Sequence, residues 1–353
     1  MAVNTVLGKV EKERLGIISP HEHIFCDIRW AFTPPADPIG EKIAYEPICM
    51  KNLGVLRRNV SIARDNLGLE DFDIACSELK EFRYAGGCTL VDATVHGLSR
   101  SPKMLRRAAI ETGVNIIMGC GYYVAESHPK DMDEKTAEEI TEELLQDLTA
   151  GVGETGIKAG VIGEIGVGAR VHPNEAKVLK ASAIAQKETG VGVHVHMSDR
   201  AVDGNRFPPG SDVLDIFEKN GADVSKVCLD HMGVMMGIDI EYCEEMLKRG
   251  AYIAFDTFGH EFYKDNMLVN PCETDLGRVR AIKRLCDEGF AERILISGDV
   301  CHKTLLHTYG GWGYDHIITN IIPMFRDEGF DEETIRLLTA ENPANFLDSS
   351  LVK

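Results

Sequence analysis

Short apolar runs alternate with segments of helical period along most of this chain, and this alternation limits the folds open to it. Eight runs rich in β-branched residues predict strands at residues 15–20, 88–94, 115–121, 161–166, 191–196, 227–231, 252–258 and 294–299. Amphipathic segments between them predict helices at residues 78–84, 104–111, 137–148, 175–187, 212–220, 240–248 and 277–287. Eight strands alternating with helices predict an α/β fold in which a parallel sheet closes into a (β/α)8 TIM barrel.

The domain organisation follows from the lack of any Pro/Ser-rich linker along the 353 residues. We predict a single barrel domain over residues 1–353, with an N-terminal extension (1–14), the barrel (15–313) and C-terminal helices (314–353). The stretch 27–67 departs from the strand–helix repeat and carries several prolines, which favour irregular backbone. We predict that it is mostly a loop near the barrel mouth.

Composition limits the partners of the chain. Its net charge of -18 at pH 7 argues against a nucleic-acid-binding surface, because phosphate contacts need clustered Lys and Arg. None of the ten cysteines forms a Cys-x-x-Cys pair, and thiols in this number fit a reducing cytosol. The sequence shows no signal peptide and no run of the ~20 apolar residues that a membrane span needs. We therefore predict a cytoplasmic protein with no nucleic-acid or membrane partner.

Two histidines, His21 and His23, flank Glu22 at the end of the first predicted strand. Side chains alternate along a strand, so both imidazoles lie on one face and can bind one divalent cation while Glu22 points elsewhere. The carboxyl ends of barrel strands line the active site of this fold. The other predicted strand ends carry four further residues of ligand type: Glu164, His196, His231 and Asp299.

These six residues exceed what one tetrahedral metal binds, and they suit two divalent cations that share a carboxylate. A carboxylate inside an apolar run, such as Glu164, is rarely buried unless it is paired or metal-bound. His194 has the same strand parity as His196 but lies deeper, so we predict His196 as the ligand. Zn²⁺ is the expected cation, with Mn²⁺ and Co²⁺ as alternatives.

The chemistry that such a site predicts is hydrolysis. Two cations lower the pKa of a bridging water and supply hydroxide at neutral pH, and one of them polarises the bond to be cleaved. Asp299 is the predicted catalytic residue, because it can orient this hydroxide and carry its proton to the leaving group. A redox enzyme is disfavoured, because the chain has no glycine motif for nucleotide binding.

Several motifs resemble the phosphotriesterase family of the amidohydrolase superfamily, and together they cover nearly the whole chain. They are SPHEH (19–23), GVIGEIG (160–166), VHVH (193–196), LDH (229–231) and SGD (297–299). Residues 45–53 and 309–317 are most similar to the phosphotriesterase-related protein subgroup. The resemblance implies that His21, His23 and Asp299 hold a buried metal. It further implies that His196 and His231 hold a more exposed metal.

Glu164 is the main departure from the family pattern, since it takes the place of the carboxylated lysine of the best-known members. Glutamate is shorter than that side chain, so bridging requires the metals or the strand to lie closer together; otherwise one metal is held weakly.

The resemblance leaves the substrate open, because the family includes hydrolases of phosphotriesters, lactones and N-acyl amides. We predict cleavage of a small ester or lactone, and a phosphorylated sugar lactone is one candidate substrate. The alternatives are an N-acyl amino acid or amide hydrolase and a non-catalytic metal-binding barrel. Tyr122, Arg200 and Lys303 follow the third, fifth and eighth strands, and we predict that they contact an anionic small-molecule substrate. Related barrels often pair, which predicts a homodimer.

Overall fold

The structure is a computed structural model that describes residues 2–198, 209–234, 238–262 and 272–349. Its strands are β1 (Ala2–Thr5), β2 (Gly8–Glu11), β3 (Ile17–Glu22), β4 (Cys26–Asp27), β5 (Gly68–Leu69), β6 (Gly87–Asp92), β7 (Asn115–Cys120), β8 (Val161–Val167), β9 (Val193–Met197), β10 (Val227–Leu229), β11 (Tyr252–Phe255) and β12 (Ile294–Ile296). Its α-helices are α1 (Pro38–Ala44), α2 (Leu53–Leu56), α3 (Phe72–Tyr84), α4 (Pro102–Thr112), α5 (Ala137–Thr149), α6 (Pro173–Thr189), α7 (Gly210–Lys219), α8 (Ile240–Lys248), α9 (Asp275–Asp287), α10 (Ile322–Asp327), α11 (Glu332–Arg336) and α12 (Asn342–Leu347).

Eight strands form one parallel sheet in the order β3-β6-β7-β8-β9-β10-β11-β12. One helix of the series α3 to α9 lies between each strand and the next along the chain. The predicted (β/α)8 barrel is therefore confirmed. Strands β10, β11 and β12 are shorter than predicted, because their last predicted residues leave the hydrogen-bonded ladder and line the barrel mouth.

Apolar side chains fill the lower barrel interior. Alternate strand residues point outward to the helices or inward, as the two-residue period of a strand requires. The inner cluster contains these strand residues: Ile18, Val91, Ile117, Val161, Cys228, Tyr252, Ala254 and Leu295. Val3 of β1 and Phe346 of α12 join this cluster, so the two ends of the chain close the barrel bottom. Polar side chains lie at the opposite end of the barrel, where the strands end.

The first and last barrel strands, β3 and β12, are joined by a buried carboxylate. Glu22 Oε1 accepts hydrogen bonds from Ser19 Oγ at 2.7 Å and from Ser297 Oγ at 2.9 Å. The backbone amides of Gly298 and Val300 donate to the same carboxylate at 2.8 and 2.7 Å. Burial raises the pKa of Glu22, whereas these hydrogen bonds favour its charged form. Glu22 therefore ties the strand that carries the two histidines to the end of the barrel sheet.

Residues 28–67 leave the barrel between β4 and β5, which pair antiparallel at the base of the excursion. Most of this stretch lies outside helices and strands, as predicted, but it also contains the short helices α1 and α2. Asp37 caps α1, since its carboxylate accepts hydrogen bonds from the first amides of the helix. Pro38 occupies the first helical position, where a missing N–H is tolerated. One of the prolines thus begins a helix.

The remaining described segments flank the barrel. The strands β1 and β2 form an antiparallel hairpin, and Val6 N donates a hydrogen bond to Ile116 O of β7 at 2.9 Å. After the last strand, α10, α11 and α12 follow, as the sequence predicts for this region. Among the described residues, no helix is both long enough and apolar enough to cross a membrane.

Candidate metal centre

The structure gathers all six side chains that the sequence predicts as metal ligands. They are His21, His23, Glu164, His196, His231 and Asp299. Each lies in a barrel strand or directly after one, at the carboxyl end of the sheet. The ends of β3, β8, β9, β10 and β12 thus meet in one small volume. They do so because the parallel strands of a barrel end at the same rim.

The buried half-site consists of His21, His23 and Asp299. His23 Nε2 lies 3.2 Å from Asp299 Oδ1 and 3.2 Å from Glu164 Oε1. His21 Nε2 lies 3.6 Å from Glu164 Oε2 and 3.8 Å from Asp299 Oδ1. All of these side chains are buried, so water contributes little to their solvation.

The outer half-site consists of His196 and His231. Nδ1 of His196 lies 2.7 Å from Nε2 of His231, and the two nitrogens lie 3.2 and 3.5 Å from Glu164 Oε2. Both residues are partly exposed at the barrel mouth. The carboxylate of Glu164 therefore contacts imidazoles of both half-sites.

These residues fit metal cations on two counts. Nε2 of the fully buried His21, which faces Glu164 and Asp299, makes no hydrogen bond, and buried polar atoms normally have a partner. Ligand atoms that share a tetrahedral cation at bond lengths of about 2.0–2.2 Å lie about 3.3–3.6 Å apart. The separations around His21 and His23 are close to this range. Imidazole and carboxylate ligands together suit Zn²⁺, Mn²⁺ and similar ions.

A bulge in β8 explains how a glutamate reaches both half-sites. The ladder between β8 and β9 shifts register between Ile162 and Ile165, which adds a residue to β8. Gly163 within the bulge has φ +114°, and a Cβ there would lie 2.3 Å from the backbone oxygen of His194. Only glycine fits this conformation, and the extra residue brings Glu164 into contact with the histidines. The strand backbone thus offsets the shorter side chain.

Two of the predicted ligand residues have left-handed backbone conformations. His231 has φ 65° and Asp299 has φ 45°, values that are uncommon for residues with a Cβ. Hydrogen bonds hold both: His231 N donates to Asp256 Oδ1 at 3.0 Å, and Asp299 N donates to His21 O at 3.2 Å. Strained backbone of this kind persists where the surroundings fix it, and it clusters at functional sites.

Two aspartates that the sequence analysis did not select support the histidines from below. Asp256 Oδ1 lies 3.0 Å from His231 Nδ1, and Asp256 Oδ2 lies 3.2 Å from His21 Nδ1. Asp230 Oδ1 lies 2.8 Å from His194 Nδ1, and its Oδ2 lies 3.3 Å from His21 Nδ1. Carboxylates behind ligand imidazoles fix the ring orientation and raise its basicity. His194 is therefore a supporting residue, as its deeper strand position predicts.

The other two histidines that the sequence predicts as ligands contact hydroxyl groups. Thr94 Oγ1 lies 2.8 Å from His23 Nδ1, and Tyr123 Oη lies 3.1 Å from His196 Nδ1. Trp30 packs edge-on against Tyr123, with ring centroids 6.3 Å apart. An aromatic wall thus covers one side of the outer half-site.

The carboxylates give the centre a strong preference for positive charge. Burial lowers the pKa of His23, but the hydrogen bonds that its ring donates to Asp299 and Glu164 outweigh this effect and raise the pKa to about 10. Burial raises the pKa of Glu164, but the neighbouring charge of His21 and hydrogen bonds from the other histidines hold it well below its usual range. Bound cations supply the positive charge that this cluster favours.

The sequence profile of the phosphotriesterase family matches residues 1–347. The chain belongs to the phosphotriesterase family. It is 35% identical over 349 residues to the N-acetyltaurine hydrolase of Xenopus tropicalis, covering 98% of this chain and 97% of that protein.

Two solved structures of relatives share this fold. The resiniferatoxin-binding protein of Rhodobacter sphaeroides superposes with a TM-score of 0.93 at 35% identity, covering 98% of this chain and 95% of that one. A PTE-like lactonase variant of Deinococcus radiodurans has a TM-score of 0.75 at 27% identity, with 98% and 100% coverage. Members of the phosphotriesterase family are metal-dependent, and the relatives support a hydrolytic enzyme.

The tyrosine predicted to contact the substrate in this phosphotriesterase-family barrel does not face the predicted metal centre. Tyr122 is buried, and its hydroxyl contacts Glu143 and Lys135 instead of the metal centre. The neighbouring Tyr123 is the tyrosine that reaches His196. The sequence could not separate two adjacent tyrosines, because the turn after Gly121 decides which of them faces inward.

The two predicted basic residues also differ. Lys303 Nζ lies 2.6 Å from Asp65 Oδ1, and this ion pair connects the loop after β12 to the excursion 28–67. Arg200 lies outside the described residues.

Proposed function

We propose that this chain is a binuclear metal-dependent hydrolase of a short N-acyl amide whose amine part carries an anionic group. The observation that carries the proposal is the contact of one carboxylate, Glu164, with imidazoles of both half-sites. A carboxylate in that position supports two cations close enough to share it. His21, His23 and Asp299 would hold one cation, and His196 and His231 would hold the other.

When bound, the two cations would lower the pKa of a water molecule between them and polarise the carbonyl group of the substrate. We favour Zn²⁺ on the donor set of imidazole and carboxylate, with Mn²⁺ or Co²⁺ as alternatives.

Asp299 would carry the proton in this reaction. Its Oδ1 faces His21 and His23, whereas its Oδ2 faces the loop that follows β12. The carboxylate can therefore accept the proton of the attacking water and pass it to the leaving group from one position. An amide needs this transfer more than an ester does, because an amine leaves only after protonation.

The relatives support the amide class over the ester class that the sequence first suggests. The N-acetyltaurine hydrolase of Xenopus tropicalis matches over 98% of this chain, and taurine amides carry a sulfonate. Arg200, which follows β9, is the basic residue that we propose to bind such an anion. Lys303 is the weaker candidate, because its charge is already paired with Asp65.

A small ester or lactone is the second candidate substrate. The Deinococcus radiodurans relative is a PTE-like lactonase variant, and it is 27% identical over nearly the whole chain. The same ligand set serves both leaving groups, and a substrate panel discriminates between them.

The test is a substrate panel with enzyme loaded with two equivalents of Zn²⁺. The panel contains N-acetyl amides of an aminosulfonate, of amino acids and of a neutral amine, together with simple and phosphorylated lactones. We expect the highest kcat/KM for the amides with an anionic group, and an increased KM for these alone in Arg200→Ala. Preference for lactones would favour the second candidate. No turnover of any member at full metal loading would overturn the hydrolase proposal.

A further inference from the structure

A second cluster of side chains that could hold a metal adjoins the centre, on the side of Asp299 that is not directed at His21 and His23. The group consists of Cys301, His260 and Asp299, and one ligand atom from each lies within 4.8 Å of the other two. The predicted ligands of the buried half-site lie within the same distance of one another. Asp299 belongs to both groups, because its two carboxylate oxygens point in different directions.

The distances suit a cation that binds sulfur as well as oxygen. Cys301 Sγ lies 3.9 Å from Asp299 Oδ2. Zinc–sulfur and zinc–oxygen bonds of about 2.3 and 2.0–2.2 Å place such atoms about 3.5–3.7 Å apart in a tetrahedral site. A small movement of the half-buried thiol is enough to close this gap. A thiolate, an imidazole and a carboxylate together favour Zn²⁺ and Cd²⁺ over Mg²⁺ or Ca²⁺.

The third ligand is held in place by the surrounding fold. His260 is buried, and its Nε2 lies 2.9 Å from the backbone oxygen of Asp299. The backbone oxygen of His260 accepts a hydrogen bond from Arg278, whose guanidinium is fully buried and also contacts Asp275 at 2.9 Å. The imidazole therefore stays beside Asp299, whereas Cys301 remains partly exposed on the loop after β12.

We propose that Cys301, His260 and Asp299 bind a third, inhibitory cation of the zinc type. The inhibition rests on the proposed function, in which Asp299 carries the proton of the reaction. A cation on Asp299 Oδ2 would occupy the carboxylate oxygen that is not directed at His21 and His23, and this oxygen would then not take part in proton transfer. Excess Zn²⁺ would then inhibit the enzyme that two equivalents activate.

The binding test uses the full chain loaded with two equivalents of Zn²⁺ and titrated with Cd²⁺. Thiolate–cadmium coordination gives a near-ultraviolet absorption band, which reports the site without any substrate. We expect one additional Cd²⁺ per chain with this band in the wild-type protein and loss of both in Cys301→Ser. The matched control is Cys286→Ser, which removes another half-buried cysteine at the end of α9 and keeps the band. An equal band in wild type and Cys301→Ser would overturn the site.

The inhibition test repeats activity measurements over a range of Zn²⁺ concentrations above two equivalents. We expect Cys301→Ser to raise the inhibitory Zn²⁺ concentration at least about tenfold and to leave activity at two equivalents unchanged. Identical inhibition curves for the two proteins would overturn the regulatory role. A chain that shows the cadmium band but cleaves no substrate would contradict the proposed hydrolase and not the third cation site.

Discussion

The two half-sites are built from similar ligands but are supported differently. In the buried half-site, carboxylates of Asp230 and Asp256 lie behind His21, and the ring is fully enclosed. In the outer half-site, one carboxylate, that of Asp256, lies behind His231, and a tyrosine hydroxyl lies beside His196, whose side chain is 19% exposed. Carboxylate support raises ligand basicity, and exclusion of water strengthens electrostatic attraction. For the proposed binuclear centre, we therefore expect the outer cation to exchange more readily than the buried one.

Glu164→Gln is the substitution with the largest expected effect, because it removes the charge that both half-sites share. We expect metal content to fall from about two to less than one per chain, and kcat/KM to fall more than about 10⁴-fold. Metal analysis and steady-state kinetics measure the two effects. Glu143→Gln, which alters a carboxylate near Tyr122, is the control and keeps both values. Two tightly held metals in Glu164→Gln would contradict a shared carboxylate.

Asp299→Asn tests the proton carrier within the buried half-site. We expect kcat/KM to fall about 10²- to 10⁴-fold, as for other lost proton carriers. The amide keeps the shape of the residue and His21 and His23 remain, so metal content should fall less than in Glu164→Gln. Metal analysis beside kinetics separates the two roles of the residue. Activity that survives this change at full metal loading would remove Asp299 from the proposed reaction.

Asp256→Asn tests the support that lies behind both half-sites. Its carboxylate contacts His21 and His231, so its loss weakens the orientation of one ligand in each half-site. We expect metal affinity to fall about 10- to 100-fold, measured by competition with a chelator. Unchanged affinity for both cations would show that burial alone accounts for tight binding.

Tyr123→Phe and Thr94→Val form a matched pair with the smallest expected effects. Each removes one hydroxyl that contacts a ligand histidine, His196 in the outer half-site and His23 in the buried one. We expect less than about tenfold loss of affinity in each, for the exchangeable cation in Tyr123→Phe and for the retained cation in Thr94→Val. Stepwise chelation distinguishes the two. Loss of the same cation in both variants would break the distinction between the half-sites.

The barrel and the six proposed ligands were accessible to sequence reasoning because both depend on strand period and strand ends. His21 and His23 illustrate this, since the fold forces residues at strand ends to one rim. Asp256 was accessible by the same rule but was not selected. It lies two positions after Ala254, which faces the interior, and so continues the inward face.

Other features depend on contacts that no single strand specifies. The bulge at Gly163 sets how far Glu164 reaches, and its register shift exists only between two paired strands. The choice between Tyr122 and Tyr123 depends on the turn geometry after β7. The sequence predicts Lys303 at the barrel mouth, because it follows the last strand. Its partner Asp65 lies in the excursion 28–67, and the path of that excursion does not follow from the strand–helix repeat.

The hydrogen bonds of Glu22 with Ser297, Gly298 and Val300 have a consequence for folding during synthesis. The ribosome releases the first strand long before the last, and the buried half-site needs Asp299 beside His21 and His23. A nascent chain that ends before residue 297 lacks both these hydrogen-bond partners of Glu22 and the third predicted ligand, Asp299. In the proposed centre, such a chain has only His21 and His23 of the three ligands, so we expect tight binding at this half-site only after Asp299 has been made.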